Sequence, residues 1–256
     1  MQRPLRKLYL LYHELLPHSS KYSYALEAGA FQKHVDLFVR LREAAEPGLY
    51  PEITFDDGHI SNFEFALPIL QSRGFKAYFF ITVGWTGNRA GYMGWPELRS
   101  LHQGGQLIGA HGWTHTLLTH CSAKDLQKEL NGARLMLEDK LGVPITTMSL
   151  PGGRYNRRVI TACQEAGYTA IYTFIPRAQT VPLGSMVGRL NIRRNMDLEY
   201  IAKVLRPESN VLPSLEREYQ IKATMKTVLG DRLYEKLWAV LNKKERDTDG
   251  DWAQAE

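Results

Sequence analysis

The sequence predicts an α/β protein built on a largely parallel sheet, and three observations carry that expectation. Short β-rich runs alternate with longer amphipathic runs, the pattern of strand–helix units. The polar residues with chemical potential, His13, Asp56, Asp57, His111 and a Pro151-Gly152-Gly153 turn, all follow predicted strand ends. That is where α/β folds place their sites. From Pro213 onward the alternation stops and only helical spacing remains.

In chain order, residues 8–13 read as a strand. Residues 31–45 read as a helix, with Phe31, Val35, Phe38, Val39 and Leu41 near helical spacing. A strand at 52–57 precedes a helix at 62–73. The aromatic series Tyr78, Phe79, Phe80 and Ile81 marks a strand at 76–83. A helix at 95–103 is ended by Gly104-Gly105, and a strand follows at 106–111. One long helix over 123–141 is stopped by Gly142 and Pro144. Then come strand 146–150, helix 157–166 closed by Gly167, strand 169–174, a last strand at 187–193 and helix 198–205. Seven strands close into a small irregular barrel or stay open and doubly wound; periodicity alone does not choose. Beyond Pro213, Ile221, Met225, Val228, Leu229, Leu233, Leu237 and Leu241 recur near helical spacing, with Gly230 as a break. The expected division is a main domain over 1–205 and a helical appendage with a disordered tail over 206–256.

With 256 residues, 44% hydrophobic and 23% charged, the chain reads as soluble and globular. Its formal charge of +5 is scattered, and the dense run Lys243-Lys244-Glu245-Arg246 is mixed with acids. A nucleic-acid arm is therefore not expected. No apolar stretch is long enough to span a bilayer. Cys121 and Cys163 lack metal-type spacing and make no disulfide framework, which suits a reducing compartment. The apolar run after Arg3 is too short for a signal peptide, so a cytoplasmic location is the expectation.

The chemistry concentrates in two motifs. Thr54-Phe55-Asp56-Asp57-Gly58 ends a strand in two carboxylates; adjacent strand residues face opposite ways, but a chain broken by Gly58 turns and brings both to one site. An Asp-Asp-Gly turn is common by itself. His111-Gly112-Trp113-Thr114-His115 places two imidazoles four residues apart after another strand end, on one side whether helical or extended. Paired, the motifs offer one carboxylate and two imidazoles to a divalent metal, with a spare carboxylate beside it. Three protein ligands leave a position open for water, the arrangement of a hydrolytic metal site. His120 is a weaker spare candidate.

Together these motifs resemble the NodB-type polysaccharide deacetylases, carbohydrate esterase family four. The Thr-Phe-Asp-Asp-Gly motif stands unaltered at 54–58, and the His-(Ser/Thr)-x-x-His motif stands at 111–115 with Gly112 at the hydroxyl position. Ala66-Leu67-Pro68-Ile69-Leu70, Ala77-Tyr78-Phe79-Phe80-Ile81 and Ile108-Gly109 extend the likeness. The resemblance implies an irregular (β/α)7 barrel and removal of N-acetyl groups from an N-acetylhexosamine-containing glycan. It implies a divalent metal, usually zinc, on Asp57, His111 and His115, with Asp56 as catalytic base. It also places the oxyanion donor in the third motif, here Leu150-Pro151-Gly152-Gly153-Arg154-Tyr155-Asn156, where Gly152 and Gly153 allow close backbone approach.

The chain departs from the family pattern twice. The arginine that often precedes the third motif and orients the base is missing, with Met148-Ser149-Leu150 in its place; Arg154 is a candidate substitute. The late Leu-x-His that supplies the general acid is impossible, because no histidine follows His120. Leu11-Tyr12-His13 matches that motif at the other end of the chain, the permuted order seen in biofilm poly-N-acetylglucosamine deacetylases. His13 is thus the expected acid, with His59 as runner-up. Trp113 and Tyr155 are the expected sugar platforms, and Trp85 and Trp95 are expected to pack. Besides the N-deacetylase, two other readings remain: a deacylase of another amide or ester, and a glycan-binding protein that keeps the metal site without turnover.

Overall fold

A computed structural model describes residues 5–44 and 49–229. The parallel sheet is built from β1 (Arg6–Tyr12), β4 (Leu49–Phe55), β5 (Ala77–Ile81), β6 (Leu107–Ala110), β7 (Thr147–Ser149) and β8 (Ala170–Tyr172). Its edges are β10 (Met186–Val187), paired to β8, and β11 (Arg189–Asn191), paired to β1. Only Gly188 separates these two, so one broken strand joins both edges and brings the sheet round into an irregular barrel. Counting that strand once gives the seven positions expected from the sequence. A Cβ at Gly188 would meet the Ile175 carbonyl oxygen at 2.5 Å, which explains why glycine stands at the break. The pairs β2 (Glu14–Leu16) with β3 (Ala25–Glu27), and the antiparallel β9 (Gln179–Thr180) on β1, were not expected.

Strand β1 shows how the pattern builds the core. Leu8, Leu10 and Tyr12 face outward into the main apolar cluster with Phe31, Val35 and Phe38 of α1 (Ala28–Glu43). Tyr9 faces inward, with Phe80, Tyr172 and Val187. Period-two alternation therefore assigns inside and outside of the barrel residue by residue.

The remaining helices cover the outer surface: α2 (Leu67–Gln71), α3 (Trp95–Gln103), α4 (Ala123–Gln127), α5 (Ala133–Leu141), α6 (Arg157–Glu165) and α7 (Leu198–Leu205). Two expected helices carry a widened π-type turn, at Asn62–Ala66 before α2 and at Lys128–Gly132 between α4 and α5. Such turns often mark functional positions, and Asn62 and Glu129 both serve the site. The last described helix, α8 (Val211–Leu229), docks through Leu212, Val211 and Leu215, while Ile221 and Met225 are exposed. The expected break at Gly230 and the disordered tail lie outside the described residues. Among the described residues no helix is long and apolar enough to cross a membrane. Cys121 and Cys163 are free and buried.

Candidate metal centre and acid–base site

Asp56 continues β4 by one residue, and its N–H donates to the Tyr12 carbonyl at 3.1 Å. Asp57 then takes φ 74°, the left-handed region that non-glycine residues seldom adopt, and Gly58 follows at φ 86°. This reversal lets neighbouring carboxylates share one site. Asp57 Oδ1 lies 3.2 Å from His111 Nε2 and 3.3 Å from His115 Nε2. Among the described residues, His115 is the other non-glycine residue with positive φ, at 65°. Strain of this kind gathers where a site over-determines the backbone.

The donor chemistry suits a divalent cation. His111 Nδ1 donates to the Ser149 carbonyl at 2.9 Å, which fixes the tautomer and turns the Nε2 lone pair toward Asp57. Desolvation lowers the His115 pKa to about 4, against the opposing pull of Asp57, so its ring is neutral at pH 7. Asp57 Oδ1 is buried without a hydrogen-bond partner. The ligand atoms of Asp57, His111 and His115 all lie within 4.8 Å of one another. Lone pairs of two imidazoles and a carboxylate thus converge on one point, and a cation there would resolve the conflict.

Glu129, from the π-type turn, pins the loop that carries the two histidines. Its buried Oε2 accepts from the N–H groups of Trp113 at 2.7 Å and Thr114 at 3.0 Å, and Oε1 accepts the Thr114 hydroxyl at 2.6 Å. Gly112 explains its own departure from the family motif: φ is 81°, and a Cβ would meet Glu129 Oε2 at 2.9 Å. We expect Glu129→Leu, which deletes the acceptors of all three donors, to weaken binding of added zinc about 10–100-fold. Competition against a chelator reads this, and unchanged affinity refutes the pinning role.

Asp56 is held differently. Arg189 Nη1 donates to Oδ1 at 2.7 Å and Nη2 to Oδ2 at 2.9 Å, while the Ser149 hydroxyl donates to Oδ2 at 2.8 Å. Arg189 is itself fully buried, with further bonds to Thr54 Oγ1 and the Thr173 carbonyl. Burial raises the Asp56 pKa, but Arg189 and His111 outweigh it and hold the carboxyl below its usual value. The arginine that holds Asp56 thus comes from β11. The alternation that makes Leu190 outward makes Arg189 inward, and that signal was present in the sequence.

His13 follows β1 directly, beside Asp56 in register, and its ring lies 5.2 Å from Tyr24. Burial lowers its pKa, opposed chiefly by Asp57 and Asp56. The Asn62 side chain donates to its carbonyl at 2.7 Å. His59 sits further out, its Nδ1 against the Ser61 hydroxyl at 2.8 Å and its ring edge-on to Tyr92. His120 belongs to a short turn and is not part of the cluster.

The half-buried Trp113 ring lies between the backbones of Gly84 and Gly132, with Lys128 Nζ 5.6 Å from its centroid. Trp85, expected to pack, instead lies 5.1 Å from the His115 ring and 4.7 Å from Tyr92, half-exposed. In the third motif Gly152 and Gly153 both have positive φ. The Gly153 N–H is committed to the Leu150 carbonyl at 2.8 Å, so it is not a free donor. Tyr155 is exposed.

Comparison with known proteins agrees with this geometry. Residues 49–171 match the sequence model of the Polysaccharide deacetylase family. The protein YxkH of Bacillus subtilis is 29% identical over 126 residues, 49% of this chain and 45% of that protein. Chitin deacetylase 1 of Cryptococcus neoformans is 28% identical over 120 residues, 46% of this chain and 24% of that protein. The match thus spans less than half the length of either relative. The Streptococcus pyogenes deacetylase PplD, solved with acetate, superposes with a TM-score of 0.71 at 20% identity, over 80% of this chain and 100% of that one. At that identity the likeness is one of fold.

Proposed function

We propose that this protein, whose residues 49–171 match the Polysaccharide deacetylase family model, is a metal-dependent hydrolase that removes N-acetyl groups from an N-acetylhexosamine-containing glycan. The observation that carries this reading is the convergence of Asp57, His111 and His115 beside a second, ionised carboxylate. Zinc fits the one-carboxylate, two-imidazole donor set. A divalent ion held by Asp57, His111 and His115 would supply Lewis-acid chemistry, polarising an acyl carbonyl and making water more acidic.

The residues of the chain supply the rest. Asp56 Oδ2 lies 3.8 Å from His111 Nε2, at the edge of the ligand cluster, and takes the proton of the attacking water. Arg189 and Ser149 orient that oxygen and keep it ionised. His13 then gives a proton to the departing nitrogen, since an amine leaves badly as an anion. His13 precedes the metal-binding motifs in the chain yet stands beside Asp56 in register, which supports a permuted motif order. Trp85 and Tyr92 offer half-exposed rings beside His115 on which a sugar can stack. Tyr155 and the Gly152-Gly153 turn remain candidates for the far side of the glycan.

The test is acetate release from acetylated chito-oligosaccharides by the zinc-loaded protein. His13→Ala should lower kcat by about 100-fold or more while zinc content is retained. An unaltered rate removes His13 as the acid, and zinc without acetate release from any acyl glycan favours the binding-protein reading.

A further inference from the structure

Among the buried polar atoms that lack hydrogen-bond partners are His13 Nδ1 and Asn191 Oδ1, beside the site. Buried polar groups are nearly always satisfied, so such a pair calls for a reason. Strand register brings them together. Tyr9 pairs with Arg189 and Leu11 with Asn191. Side chains at paired positions of parallel strands share a face, and the bonds of Arg189 to Asp56 and Thr173 show that this face is the barrel interior. The next inward position on the strand after Leu11 is His13. Asn191 therefore stands diagonally across from His13 on the adjacent strand, within reach of a carboxamide and an imidazole.

Resting on the proposed reaction, we infer that Asn191 is the positioning residue for His13: its Oδ1 accepts the Nδ1–H and leaves Nε2 to carry the mobile proton. One side-chain rotation or one bridging water completes the bond. Arg189 is spent on Asp56, Ser149, Thr54 and Thr173. Asn62 gives its side-chain N–H to the His13 carbonyl and keeps an unpartnered Oδ1, so it is the competing acceptor that the experiment must separate from Asn191. An oxygen acceptor is what an acid needs here. The imidazolium gives its Nε2 proton to the nitrogen as the C–N electron pair departs with it, and the neutral imidazole that remains keeps Nδ1–H on Asn191. Were Nδ1 unheld, both tautomers would be populated, and one of them presents the wrong nitrogen.

The experiment is long-range nitrogen NMR on the full, zinc-loaded chain with 15N-labelled histidine, without substrate. Wild-type His13 should show the Nδ1–H tautomer alone. Asn191→Leu, which keeps the shape and deletes the acceptor, should give a mixture of tautomers and lower kcat about tenfold at unchanged zinc content. Asn191→Asp, which restores the oxygen, should restore the single tautomer and most of the rate; Asn191→Ala serves if the leucine variant does not fold. A His13 tautomer indifferent to every Asn191 variant, or lost only on changing Asn62, overturns the assignment. Because the tautomer is read without turnover, this result stands apart from whether the glycan reading holds.

Discussion

Asp57→Asn should strip the protein of zinc and abolish acetate release while leaving it folded. Asparagine is nearly isosteric and tolerates the left-handed backbone that Asp57 adopts at φ 74°, so the turn survives. What disappears is the single negative charge among the three converging ligand atoms. We expect affinity for zinc to fall by at least about 100-fold, beyond the range of outer-shell changes. Folding stability reads the same event independently. A ligand present at about 100 times its dissociation constant stabilises the native state by roughly 2.7 kcal/mol. Zinc should therefore raise the Tm of the wild-type chain and leave that of Asp57→Asn unmoved. Equal zinc content in the two proteins would remove Asp57 from the ligand set.

The second large effect belongs to Arg189. It forms a fully buried, bidentate pair with Asp56. Such pairs add little net stability over apolar residues, yet removing one partner strands a buried charge at a cost of about 3–5 kcal/mol. Arg189→Met should accordingly destabilise the protein by about that amount in urea denaturation. Much of the loss should vanish when Asp56→Asn is made in the same chain, because the stranded charge is then gone. Activity follows a different pattern, since both single variants and the double variant lose the ionised, oriented carboxylate. Arg189→Lys keeps the charge without the planar fork and should recover stability better than turnover. If Arg189→Met proves as stable as wild type, the pair does not hold Asp56.

Much of this was legible in the sequence because strand ends are simple to read. The motifs at 54–58 and 111–115 follow β4 and β6, and the predicted convergence of Asp57, His111 and His115 is present. The seven strand positions were legible from alternation, whereas closure into a barrel was implied only by the family resemblance. What escaped were contacts set by long-range register. Arg189 reaches Asp56 across 133 positions, and Glu129 grips Trp113 from sixteen positions on. Propensity carries no such information, although the inward parity of Arg189 and Asn191 along one strand was open to inspection. The split at Gly188 also broke the single strand expected at 187–193. The tryptophans illustrate the same limit: sequence places Trp113 between two ligands, but the seat of its ring between Gly84 and Gly132 and the approach of Trp85 to His115 are tertiary matters.

The central proposition is that one cation sits where Asp57, His111 and His115 meet. Anomalous diffraction above the zinc edge, on crystals grown with zinc, tests it most directly. The expected result is a dominant peak about 2.0–2.2 Å from Asp57 Oδ1 and the two Nε2 atoms. A map with no peak among these three side chains, in crystals where zinc is bound elsewhere, would contradict it.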